Sequence, residues 1–280
     1  MYMATNDEKQ GIGLIGCGAI GRGLALAVEE GKVPGAALVA LFDQDGSRAQ
    51  LLAQSLKSAP MVASSFDDFI ATEGVALVVE AASQEGVRLY GEAILSGGKH
   101  LMVMSTGALL DADLLSRFEA LTRETGCRVF APSGAIGGID AIRASRHELE
   151  EVVLTTRKHP STLVDVASTD GDAPAPLASA QVVFEGNAVE AVRRFPFNIN
   201  VAATLSLAGL GPERTMVRII ADPEAQGNTH EIYARGKSGV LRFTMENVPH
   251  PDNPRTSHLA ALSAIETLRS ACEGGLRVGA

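Results

Sequence analysis

Apolar residues follow two rhythms along this chain, and the change comes near residue 135. Before it, short unbroken apolar runs alternate with stretches of helical spacing. "GIGLIG" (11–16), "AALVALFD" (36–43), "VALVVEAAS" (75–83) and "HLMVMST" (100–106) are runs of the kind buried on both faces of a parallel sheet. "MVASS" (61–65) and "RVFAPS" (128–133) bring the strands to six. Between them Ile20, Leu24, Ala27 and Val28 recur at helical spacing, and further helices are predicted from Ser47, through "GVRLYGEAILSGG" and from near Asp111. Strands and helices in this alternation predict a Rossmann-type doubly wound parallel sheet with right-handed crossovers.

After Ser133 the rhythm alters. "GAIGGIDAIRASRH" (134–147) reads as a connecting helix. The strands that follow, "EEVVLTTRK" (150–158), "AQVVFEG" (180–186), "TMVRIIADP" (215–223), "HEIYARG" (230–236) and "GVLRFTMENV" (239–248), are longer and several alternate apolar with polar. Alternation predicts a sheet with one buried face and one facing solvent or a partner. With the helical stretch "NINVAATLSLAGLG" between them, they make a second, α+β domain on a mostly antiparallel sheet. The fold class is α/β. The expected boundaries are 1–135 for the first domain and 136–254 for the second, with a C-terminal helix within 257–275 packing back on the first. The one loosely ordered stretch expected is "STDGDAPAPLAS" (168–179).

Composition narrows the function. A chain of 280 residues, 46% of them hydrophobic, can bury two cores. Its formal net charge of −9, with no basic run, excludes a nucleic-acid partner. The polar start and the lack of a long apolar run predict neither a signal peptide nor a membrane span. Cys17, Cys127 and Cys272 are isolated from one another, so reduced thiols, a cytoplasmic setting and no metal site are expected.

The first apolar run feeds a helix through Gly16, Gly18 and Gly21, spaced G-x-G-x-x-G, with Ala19 and Ile20 inside the turn. The first glycine permits the turn, the second lets backbone approach a pyrophosphate, and the third lets helix sit close to strand. Amides at the helix start, with the positive end of its dipole, suit phosphate. Asp43 ends the second run 22 residues beyond Gly21, the place of a carboxylate that accepts from ribose hydroxyls and repels a 2′-phosphate. NAD is therefore expected as cofactor. Arg48 lies close enough in sequence to leave NADP open. Ser83, at the end of the fourth run, joins the cofactor-binding set, and Cys17 reads as a small space-filler.

Four later motifs carry a resemblance. "APSGAIGGIDAI" (131–142), "FPFNINVAATLSLAGLG" (195–211), "RIIADPEAQGNTHEI" (218–232) and "ENVPHPDNPRTSHLAALSAI" (246–265) resemble the L-aspartate dehydrogenase family. The resemblance implies oxidation of L-aspartate with NAD(P) to iminoaspartate, which either hydrolyses to oxaloacetate and ammonia or feeds quinolinate and NAD synthesis. It implies His230 as catalytic acid/base, with Ala135, through its amide, and Asn200 contacting cofactor. It also implies a homodimer through the second domain's sheet.

Those residue types suit those roles. Hydride can leave the substrate Cα only once the nitrogen has a free lone pair, and a neutral imidazole can take that proton. The reading needs the His230 ring to meet the nicotinamide across a gap between two domains; a plain strand-end histidine is the alternative, with His159 in reserve. Asn200 begins a helix, where capping is an equal alternative that Asn198 could fill instead. For the substrate carboxylates, Ser133 with the "GAIGG" amides makes a candidate anion nest. Lys158 or Arg255 is a candidate cation, and Thr256 and Ser257 are candidate hydroxyl donors or helix caps. An aldehyde dehydrogenase is excluded by serine where its cysteine nucleophile would stand. A homoserine-dehydrogenase-like or dihydrodipicolinate-reductase-like enzyme and an NAD-sensing protein remain as rivals.

Overall fold

The computed structural model describes residues 9–163, 177–196 and 200–273. They divide into two units, one ending at Pro132 and resuming at Ala264, the other running from Ser133 to Ser263.

The first unit alternates strand and helix: β1 (Gln10–Ile15), α1 (Ala19–Glu29), β2 (Ala36–Phe42), α2 (Gly46–Gln54), β3 (Met61–Val62), α3 (Phe66–Ile70), β4 (Val75–Glu80), α4 (Gln84–Ser96), β5 (His100–Val103), α5 (Ala112–Thr125) and β6 (Val129–Phe130). The strands form one parallel sheet in the order β3-β2-β1-β4-β5-β6. The order reverses between β1 and β4, and such a switch point opens a crevice at the carboxyl ends of the strands. Ile12, Leu14, Leu41, Leu77, Val79 and Met102 lie in its core, each at most 1% exposed. Each contributes roughly 1.5–3 kcal/mol by burial.

Both edge strands have two residues where longer runs were predicted. After Val62 the Ser65 hydroxyl accepts from Asp68 N and starts α3, a helix too short for periodicity to reveal. After Phe130 the chain meets Pro132, which has no N–H for a ladder. α5 starts where expected, its first amides donating to the Asp111 side chain.

The second unit contains α6 (Ile139–Ser145), β7 (Leu149–Lys158), β8 (Gln181–Asn187), α7 (Ala188–Arg194), α8 (Asn200–Ala208), β9 (Thr215–Ala221), β10 (Asn228–Gly236), β11 (Gly239–Asn247) and the short hairpin β12 (Pro249–His250) with β13 (Asn253–Ser257). The five-stranded sheet runs β11-β10-β7-β9-β8, with only β7 and β9 parallel. α8 packs on α6, α7 and β9 and is buried on nearly every side. Three details depart from expectation. The connecting helix begins only at Ile139, because Gly134 and Gly138 take positive φ values of 68° and 74°. α7 was not foreseen; the side chains of Asn187 and Glu190 cap it reciprocally. The Pro-rich residues 249–257 hold the β12–β13 hairpin, for which no strand was predicted. Residues 168–176 of the stretch expected to be loose lie outside the described residues.

Last comes α9 (His258–Cys272). Its Ala264 and Leu268 are fully buried in the first unit's core, with Ile12 and Leu38.

Candidate active site

The glycine turn between β1 and α1 separates what the fold requires from what a ligand requires. Gly16 has φ 92°, and a Cβ there would stand 2.6 Å from the Ala81 carbonyl oxygen. A Cβ on Gly21 would stand 1.9 Å from the Gly16 carbonyl oxygen. The protein itself thus demands both glycines. Gly18 differs: a Cβ there would meet no atom within 4 Å, its φ is an ordinary −72°, and no side chain caps the helix it begins. Open space beside uncapped amides is what an approaching phosphate uses. The residues fit a dinucleotide.

Asp43 follows β2 directly and is tied to the turn. Its Oδ2 accepts from Cys17 N at 2.7 Å and its Oδ1 from Asp45 N at 2.9 Å. It lines a cavity of about 500 Å³ with Gly46, Gln50, Ser64 and Ser65, and among the described residues no lysine or arginine lines it. Arg48 turns to Asp45 instead, at 3.3 Å. Burial, and next the Asp43 charge, push the Cys17 thiol up to about 12, so it stays protonated. Ala19 and Ile20 form the first turn of α1, and Ser83 caps α4 by accepting from Gly86 N.

In the second unit, one face of the sheet is buried along its length and changes chemistry toward one end. On β7 the buried residues are Leu149 at its start and then Val152, Leu154, Thr156 and Lys158; on β10 they are Ala234, Ile232, His230 and Asn228. Ladder pairing sets Ala234 beside Val152, Ile232 beside Leu154 and His230 beside Thr156. Apolar rows therefore give way to polar ones at the carboxyl end of β7. His230 is 2% exposed and Lys158 4%. Thr156 Oγ1 lies 3.0 Å from His230 Nδ1, while Nε2 has no hydrogen-bond partner among the described residues. Burial first, and the Lys158 charge second, push His230 down to about 3. Its ring is therefore neutral at neutral pH. Burial pushes Lys158 down to about 8.

Other candidates attach around this end. The Ser257 hydroxyl, buried, accepts from Asn228 Nδ2 at 3.1 Å, and the Ala135 carbonyl accepts from Asn247 Nδ2 at 3.1 Å. Asn247 and Asn228 are ladder partners, so Ala135 and Ser257 are linked to β10. Thr256 accepts from Asn253 Nδ2 within β13. Ser133 is half-buried, Asn200 opens α8, and Asn198 and the Arg255 side chain lie outside the described residues. His159, the reserve histidine, is engaged locally with Ser161. Sequence reasoning passed over Thr156, Asn228, Asn247 and Glu80. The signal was present for three of them: a polar residue in phase with a buried apolar face, or an acid closing an apolar run.

Residues 140–271 match the family described as aspartate dehydrogenase, C-terminal, and residues 16–132 match the NAD binding domain of homoserine dehydrogenase. The L-aspartate dehydrogenase of Methanocella arvoryzae is 44% identical over 279 residues, covering 96% of this chain and 98% of its own. This chain belongs to the L-aspartate dehydrogenase family. The Nitrosopumilus maritimus member is 41% identical over 270 residues, again covering 96% and 98%. Among solved structures, aspartate dehydrogenase from Thermotoga maritima matches with a TM-score of 0.76 and 29% identity, covering 96% of this chain and 99% of that one. As a family member the chain is an amino-acid dehydrogenase acting on a CH–NH2 group, with a pyridine-nucleotide domain in its first unit. The His230 cluster falls inside the aspartate dehydrogenase match, and the glycine turn lies at the start of the other.

Proposed function

We propose that this chain oxidises L-aspartate to iminoaspartate, with NAD preferred to NADP and His230 as acid/base. The observation that carries the reading is the buried, neutral His230 ring, anchored on Thr156 beside Lys158, within the stretch that matches aspartate dehydrogenases. The preference for NAD rests on Asp43 lining a cavity without a cation, since a 2′-phosphate there would meet a carboxylate and no positive charge.

A bound nicotinamide supplies the hydride acceptor. The chain's own residues prepare the substrate. In the tautomer whose Nδ1–H donates to the Thr156 hydroxyl, Nε2 carries the lone pair that takes a proton from the substrate ammonium. With the nitrogen lone pair free, the Cα–H pair can leave as hydride and the C=N bond forms. A base pushed down to about 3 is weak in the empty protein, but a dicarboxylate beside it adds negative charge and raises it. Lys158 gives such a carboxylate a cation within the same polar end, and Ser133, Thr256 and Ser257 give hydroxyls. Ala135 and Asn200 stay assigned to the cofactor.

The match of the first unit to a homoserine dehydrogenase domain favours one rival, oxidation of homoserine. A steady-state panel of L-aspartate, D-aspartate, glutamate and homoserine, each with NAD+ and NADP+, separates the two. Aspartate with NAD+ should give the highest kcat/KM, and a preference for homoserine sinks the reading. We also infer a homodimer through the outer face of the five-stranded sheet, where Val182, Met216 and Val240 are 40–55% exposed. Light scattering at micromolar concentration tests it. Three free thiols suit a reducing, cytoplasmic setting.

A further inference from the structure

The apolar run of β4 ends in Glu80, whose carboxylate is 1% exposed. A charge so buried costs several kcal/mol unless hydrogen bonds satisfy it. Here they do. Oε1 accepts from Ala82 N at 2.7 Å, Ser83 N at 2.8 Å and the Ser105 hydroxyl at 3.0 Å, and Oε2 accepts from Ser105 N at 3.0 Å. One side chain therefore laces the loop after β4 to the loop after β5. The fold does not require an acid to end a strand at this edge: β1, β2 and β5 end in Ile15, Phe42 and Val103. What the carboxylate adds is a fixed direction for the donors of two loops.

Both loops lie at the carboxyl ends of strands on the β4–β5–β6 side of the switch point, whereas Asp43 lies on the β2 side. In a doubly wound sheet each half receives one mononucleotide of a dinucleotide. Asp43 claims the adenosine half, so the nicotinamide half falls to the loops that Glu80 joins. We propose that Glu80 is a positioning residue for the nicotinamide mononucleotide half of the cofactor, setting the backbone at 82–83 and 105 against which that half rests. The proposal rests on the cofactor reading above. The wall of the glycine turn is anchored at Ala81 by its own bond from its N to the Ile15 carbonyl at 2.8 Å, and Glu80 holds only the Ala82 amide beside it. The two halves of the cofactor should thus respond separately.

The experiment is calorimetric titration of the full chain with NAD+ and with adenosine diphosphate, the latter carrying only the adenosine half. Glu80→Gln keeps shape and one carbonyl but sets an amide donor against a backbone N–H. It should weaken NAD+ about tenfold, the cost of one charge-assisted hydrogen bond, and leave adenosine diphosphate within about twofold. Ser105→Ala, which removes one hydroxyl and no charge, should shift NAD+ about two- to threefold with the same selectivity, and it serves if the glutamine variant fails to fold. Asp43→Ala should weaken both ligands. Equal weakening of the two ligands by Glu80→Gln and Ser105→Ala, or no weakening of NAD+, overturns the proposal. Failure of the unaltered chain to bind either ligand overturns the cofactor reading itself, and this proposal with it.

Discussion

The two units make their ligand surfaces from different material. In the first, the surface is backbone: a turn whose Gly18 leaves open space and a helix start no side chain caps. In the second, it is side chains rising from the buried face of a sheet, where Thr156, Lys158, Asn228 and His230 take over from Val152, Leu154, Ile232 and Ala234 in the rows beside them. A backbone surface holds charge by geometry and tolerates little change in shape. A side-chain surface lies in low dielectric, where burial lowers both His230 and Lys158 and the Lys158 charge lowers His230 further. On the function proposed above, binding and chemistry are thereby separated, and substitutions should divide the same way.

The sharpest break of that division comes from His230→Ala. It should lower kcat by about two to four powers of ten while the dissociation constant for NAD+ stays within about twofold. Full turnover in that variant, measured at saturating aspartate, leaves the second unit without its chemical role.

Next in size is a contrast inside the glycine turn. Gly21→Ala drives a Cβ onto the Gly16 carbonyl oxygen and should cost about 3–5 kcal/mol in urea unfolding. Gly18→Ala should leave the unfolding midpoint unchanged and weaken NAD+ about 10- to 100-fold. A Gly18 variant that loses stability instead shows that this glycine serves the fold.

A pH series examines the second surface alone. His230 stands at about 3 in the folded chain against an ordinary 6.5, so between those values the unfolded chain binds the proton and the folded one does not. Stability is held above about pH 6.5 and falls as the pH drops toward 3, by at most about 1.4 kcal/mol per unit. In His230→Gln that slope should flatten. For Lys158, at about 8 against an ordinary 10.5, the folded chain loses its proton first, so stability rises between those values. Urea midpoints across the series read both.

The smallest effect is Thr156→Val, nearly isosteric and lacking the hydroxyl on Nδ1. It should reduce kcat about tenfold and leave KM for NAD+ alone. A change in KM without one in kcat contradicts an orienting role for Thr156.

Much of the first unit could be read directly, because parallel strands buried on both faces need unbroken apolar runs, and a turn that must avoid its own carbonyl needs glycine. Gly16, Gly18, Gly21 and Asp43 stand out in that pattern before any coordinates. His230 was named through resemblance to a family, and its neighbours were harder. Thr156 and Lys158 sit two residues apart in a strand that otherwise alternates, and Asn228 precedes His230 by the same interval. Their phase is written in the chain, but which strands lie side by side is not.

Local pattern, then, set most of the elements, the sheet class and the spacing of the glycine turn, since these depend on contacts within a few residues or on burial alone; α3, α7 and the β12–β13 hairpin escaped it. Only the tertiary structure decided that Thr156 would meet His230 from 74 positions away, that Glu80 would reach Ser105 after the neighbouring strand, and that Lys158 would be buried where its charge acts on the ring. Those contacts follow from strand register, which is fixed by the packing of the whole sheet. Through desolvation the same burial sets the protonation of His230 and Lys158.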